Sequence, residues 1–147
     1  MLKKFFVPLL AVFALVVMAM PTAEAEDKVH RLVMQVNDND PKRMNLAPNN
    51  AANLDAYYKE KGEELVIEIV AYGPGLHMLR QDTSPVKKRI KSFGENFDNI
   101  LFHACDNTHA KMSKNRPVTL LTEAKMTKAG VVHIMERQEE GWAYVHP

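Results

Sequence analysis

Residues 101–112 read LFHACDNTHAKM, and the fold turns on how that stretch is parsed. An apolar run ends at Cys105, the chain's one cysteine, and a polar segment able to open a helix follows directly. His103 stands two residues before the thiol and His109 four after it. Read as a strand over 99–104 feeding a helix over about 107–114, the stretch delivers a thiol to a helix start. That setting makes a reactive thiolate, because the unpaired amides of a helix N-terminus favour an anion.

Upstream, residues 65–71 (LVIEIVA) form a second strand in which Glu68 is the one charge. Tyr72-Gly73-Pro74-Gly75 follows at its C-terminal end, a rigid turn that lets backbone approach a ligand or another chain. The run carries neither a GxGxxG pattern nor a Walker lysine, so nucleotide binding is not indicated. A first strand is read over 29–36 (VHRLVMQV), ended by the turn residues Asn37 to Pro41. Between these strands a helix is expected over 45–61, with Asn45 as cap, Pro48 in the first turn and Gly62 as stop. Its expected inward stripe is Leu46, Asn50, Asn53, Leu54 and Tyr57.

After a short helical turn over 76–79, Asp82 to Ser84 offer a cap ahead of Pro85, which suits a first helical position. Val86, Ile90 and Phe93 mark the buried stripe of that helix, and Lys87, Lys88, Arg89 and Lys91 its solvated face. Beyond the thiol segment, 124–127 reads as a short strand. A last helix follows, with Val131, Ile134, Met135 and Gln138 inward and Glu136, Arg137, Glu139 and Glu140 outward. Gly141 caps it, and 142–145 (WAYV) is a final short strand. Strands alternate with helices throughout, which implies an α/β fold with a mostly parallel sheet and helices on both faces. Ligands gather at the carboxyl ends of such strands, so Gly73, Pro74, Gly75 and Cys105 are expected at one edge.

The ends and the composition set the compartment. Lys3 and Lys4 precede an uncharged apolar stretch over 5–20, and Ala23-Glu24-Ala25 has the small-x-small pattern of a cleavage site. Residues 1–25 are therefore expected to be a cleaved signal peptide, leaving one domain over 26–147, exported to the periplasm and free of the membrane after cleavage. Without Lys3, Lys4 and Glu24, the 19 basic and 18 acidic residues fall to 17 of each, which gives no electrostatic reason to expect nucleic acid. A lone cysteine forms no internal disulfide, so the core must do the stabilising. A small sheet protein of this kind gains by covering its flanks, and a homo-oligomer is expected.

At the thiol, Asn107 and Thr108 are able to donate hydrogen bonds to the sulfur, His109 lies one helical turn on, and His103 shares the strand parity of Cys105. The neighbouring carboxylate of Asp106 opposes a second negative charge. The chain resembles the DsrE-like (DsrE/DsrF-like) family of small sulfur-handling proteins, and more closely its exported branch. The likeness rests on Asn49, Asn50 and Asn53, on the VAYGPG run over 70–75, on ACDNT over 104–108, and on Gln138 with Gly141-Trp142-Ala143-Tyr144. It implies a three-layer α/β/α sandwich around a largely parallel five-stranded sheet, usually in a homo-oligomer. It also implies sulfur carried as a persulfide on the cysteine after a central strand, by position Cys105, with no other cofactor.

Three readings follow. In the first, the protein is a sulfur carrier or sulfurtransferase acting through Cys105, with an unidentified sulfur donor and acceptor. In the second, it is a binding module in which Cys105, His103, His109 and Met112 hold copper, zinc or a small thiol ligand. In the third, it is an oligomeric scaffold with a packed, inert thiol.

Overall fold

The computed structural model describes residues 28–147. The reading of residues 1–25 as a signal peptide lies outside this range. No described helix is long and apolar enough to cross a membrane.

The elements are β1 (His30–Val36), α1 (Pro41–Lys61), β2 (Leu65–Ala71), a 3₁₀ segment (Gly73–Leu79), α2 (Lys87–Asn96), β3 (Ile100–Cys105), α3 (Asp106–Met112), β4 (Ala124–Thr127), α4 (Gly130–Glu139) and β5 (Ala143–Val145). The five strands form one sheet in the order β4-β3-β2-β1-β5. Every pairing is parallel. The sheet is thus the centre of a three-layer α/β/α sandwich.

The two sheet faces are chemically unlike. Side chains alternate along a strand, so Leu32, Met34 and Val36, Ile67, Ile69 and Ala71, and Phe102 and Ala104 all point to one face. There they meet Met44, Ala47 and Ala51 of α1, Leu76, Met78 and Leu79 of the 3₁₀ segment, and Ile90 and Phe93 of α2. This is the core. The opposite face has a small apolar cluster of Val33, Val70 and Ile134, flanked by Tyr72 and Trp142. The same face carries Glu68 and His103, and α4 lies across it.

Two helices sit differently from the expected phase. α1 begins at Pro41, capped by Asp40, whose carboxylate accepts from the Lys42 amide at 2.8 Å. The cap and first-turn roles expected of Asn45 and Pro48 thus belong to Asp40 and Pro41, and Pro48 lies inside the helix, buried. The inward face is Met44, Ala47, Pro48, Ala51 and Asp55, while Leu46, Asn53 and Tyr57 of the expected stripe are exposed. Small alanines let the helix approach the sheet, and that close approach outweighs the two larger side chains. In α4 only Ile134 of the expected stripe is buried; Val131, Met135 and Gln138 face outward. His133 and Arg137 turn inward with Ile134, because Glu68 on the sheet face needs partners there.

Candidate functional site

β2 and β3 are neighbours, so their C-terminal ends lie side by side, Ala71 in register with Ala104. The turn after β2 and the helix start after β3 therefore converge. Gly73 adopts φ +51°, a left-handed conformation that glycine takes without strain, and its amide donates to Thr108 Oγ1 at 3.0 Å. Gly75 has a different role. A Cβ there would lie 2.1 Å from the Val36 carbonyl oxygen, so glycine is needed for the turn to seat on the end of β1. Pro74 is exposed on the outside of the turn.

Cys105 ends β3 and is the N-terminal cap residue of α3. It is 5 % exposed. Burial pushes its thiol pKa up, but the Thr108 side chain and the backbone amides of Gly130, Thr108 and Asn107 outweigh that and lower it. The donors come from two helix starts. Asn107 and Thr108 belong to α3, and Gly130 is the first residue of α4. Gly130 is buried, and a Cβ there would stand 2.9 Å from Cβ of Tyr72. Glycine thus permits α4 to bring its first amide to the sulfur.

Of the residues expected to support the thiol, Asn107 and Thr108 lie in the first turn of α3 and lower its pKa. Among the described residues, however, the Cys105 side chain accepts no capping hydrogen bond, and the Asn107 amide donates to the Lys128 carbonyl at 3.4 Å. His109 places Nε2 on the Val118 carbonyl at 2.8 Å and is committed to closing the following loop. Met112 Sδ lies 3.8 Å from Nη1 of Arg80. His103 shares a sheet face with Cys105, as its parity required, but its nearest charged partner is Glu68, with Nε2 3.8 Å from Oε1. A surface depression bordered by Asp55, Lys59, Glu64 and Asn99 lies at the opposite ends of the strands, with no cysteine in its lining.

Apart from His103 and the turn at Tyr72, two parts of the site had no expected role in sequence. Gly130 and Tyr72 frame the thiol, and the one local signal was a glycine opening a helix, which serves no helical purpose of its own. The second part is a polar cluster beneath α4. Glu68 Oε2 receives His133 Nε2 at 2.5 Å and Arg137 Nε at 2.8 Å, and Oε1 receives Arg137 Nη2 at 3.2 Å. Burial pushes the Glu68 carboxyl up, but Arg137, His133 and His103 together hold it below its ordinary value. His103 lies against His133, the ring centroids 4.6 Å apart and the planes tilted by 31°. Burial, aided by the nearby His133, Lys125 and Arg137, outweighs the pull of Glu68 and lowers the His103 pKa to about 4, so its ring is neutral at physiological pH. A lone carboxylate inside an apolar strand was the legible signal here.

No family model and no curated protein matches the chain. Among solved structures it is similar to MTH1491, a protein of unknown function from Methanobacterium thermoautotrophicum. The two share 32% identity over 80% of this chain and 99% of that one, with a TM-score of 0.68.

Proposed function

The chain belongs to the same family as that archaeal protein, and we propose that it is a sulfur carrier or sulfurtransferase that holds a persulfide on Cys105. The observation that supports this reading is the position of Cys105, at the end of β3 and the start of α3, where the amides of the neighbouring helix starts and the Thr108 hydroxyl lower its thiol pKa despite burial. Such an environment stabilises a thiolate, which is the nucleophilic form, and it stabilises equally the anion of a persulfide.

The chemistry balances without a cofactor. The Cys105 thiolate attacks the terminal sulfane sulfur of a donor R–S–S⁻ or R–S–SH, forming one S–S bond. The donor's own S–S bond breaks, and R–S⁻ leaves with the electron pair. An acceptor thiolate then attacks the outer sulfur, and Cys105 leaves as the thiolate it began as. The amides of Asn107, Thr108 and Gly130 offset the charge at both stages. The Gly73 amide, donating to Thr108 Oγ1, holds that hydroxyl in place.

The wider reading is an exported, periplasmic DsrE-like protein acting as a homo-oligomer. Val131, Val132 and Met135 are exposed large apolar side chains one helical turn apart on α4, which supports association there. Light scattering should report a multiple of the chain mass, and Met135→Glu should reduce it. Function is tested by intact-mass measurement of protein isolated from its own compartment before reduction. A gain of one sulfur, removed by dithiothreitol and absent from Cys105→Ser, is the expected result. A thiol that never carries sulfur, and that does not accept it from a low-molecular-weight persulfide, overturns the reading.

A further inference from the structure

We propose that Glu68, His103 and His133 form a binding site for a divalent transition-metal cation of the zinc class, separate from the thiol. One ligand atom from each residue lies within 4.8 Å of the others. They come from three elements, β2, β3 and α4, so the folded sheet and the helix laid across it assemble the set. Two imidazoles and one carboxylate are a common ligand set for zinc, with a fourth position left open to solvent.

The ion-pair arrangement alone leaves His103 unexplained. Among the described residues neither of its ring nitrogens has a hydrogen-bond partner, and both are buried. A buried polar group without a partner costs about 1–3 kcal/mol, so buried polar atoms are normally satisfied. The 3.8 Å from His103 Nε2 to Glu68 Oε1 is too long for a hydrogen bond. One ion with bonds of about 2.0–2.1 Å to each ligand brings such atoms to about 3.3 Å, a small side-chain rotation away. His133 already has the arrangement of a zinc ligand, with Nε2 facing the carboxylate and Nδ1 3.2 Å from Thr127 Oγ1 as an outer partner.

Arg137 is the competing cation. It occupies Glu68 in this structure, yet its Nη1 also holds both carboxylate oxygens of Glu140, at 2.9 and 3.1 Å, and its guanidinium lies 5.0 Å from the Trp142 ring centre. When an ion takes Glu68, Arg137 keeps those two contacts at the surface. Lys125, paired in register with His103, is exposed and remains in water. Removing the Arg137 charge should therefore strengthen metal binding, the opposite of what a purely structural ion pair would give.

The test is titration of the full mature protein with Co²⁺ and Zn²⁺, followed by visible absorption and calorimetry, on the parent and on Cys105→Ser, His103→Gln, His133→Gln and Arg137→Gln. Circular dichroism establishes that each variant is folded. We expect one Co²⁺ per chain with a four-coordinate spectrum lacking a sulfur-to-metal charge-transfer band, competed out by Zn²⁺. Binding should persist in Cys105→Ser, weaken at least tenfold in each histidine variant, and tighten several-fold in Arg137→Gln. Three results overturn the proposal: no saturable binding by parent or Arg137→Gln, a charge-transfer band lost in Cys105→Ser, or binding unchanged or weakened in Arg137→Gln. Because Cys105 is not a ligand, failure here leaves the sulfur-carrier reading standing, and failure of that reading leaves this site standing.

Discussion

Thr108→Val replaces the hydroxyl by a methyl of similar size and is the most direct probe of the thiol site. The Gly73 amide donates to Thr108 Oγ1 at 3.0 Å, which leaves the hydroxyl proton free for the Cys105 sulfur. Valine removes that donor and strands the Gly73 amide. A hydrogen bond to a charged group contributes about 1.5–3 kcal/mol. The amides of Asn107, Thr108 and Gly130 remain, so the lower end applies. About 1.4 kcal/mol is a tenfold fall in thiolate fraction at any pH below the thiol's midpoint. The more basic thiolate is the better nucleophile, and a Brønsted coefficient of about 0.4–0.5 restores roughly threefold. Alkylation by iodoacetamide should therefore be about threefold slower on the acid arm and about threefold faster on the alkaline plateau. The two pH–rate curves must cross. Thiolate ultraviolet absorbance should shift alkaline in step, and Thr108→Ser should track the parent. A valine profile that superimposes on the parent, or is slower at every pH with an unmoved midpoint, refutes the claim that this hydroxyl stabilises the anion.

Gly130→Ala should move the alkylation midpoint alkaline and destabilise the fold by about 1–3 kcal/mol, because its Cβ would stand 2.9 Å from Tyr72 and lever the first amide of α4 off the sulfur. Urea unfolding and the same pH–rate measurement check both halves. Gly75→Ala should be worse, about 3 kcal/mol or more by urea midpoint, since its Cβ would fall 2.1 Å from a backbone oxygen that has no rotamer to yield. Asp82 should govern part of the acid limb. Its hydrogen bonds to Arg80, at 2.6 and 2.9 Å, hold its carboxyl pKa down to about 2, from an ordinary 3.8. The unfolded chain binds the proton first, so this stabilisation is complete above about pH 4 and is lost as pH falls through 2. Asp82→Asn should flatten the stability profile in that window and lower stability at neutral pH, because Arg80 is buried and loses its partner.

How much was legible divides at the boundary between local and long-range contacts. The sequence by itself determined the alternation of strands and helices, the parallel α/β class, and the meeting of Gly73 with the Cys105 segment at one sheet edge. Those follow from apolar runs, turn residues and the rule that parallel strands place their C-terminal ends together, all of them local or topological. The thiol's own strand and helix start were readable for the same reason. Only the tertiary structure decided the rotation of α1 and α4 about their axes. Periodicity placed Val131 and Met135 inward, yet His133 and Arg137 point in, because Glu68, 65 residues before His133, lies under the helix and the cost of leaving a carboxylate unpaired exceeds that of exposing two apolar side chains. The amide of Gly130 reaches Cys105 for an equally non-local reason: the approach depends on the space Tyr72 leaves, and no reading of residues 101–112 contains Tyr72.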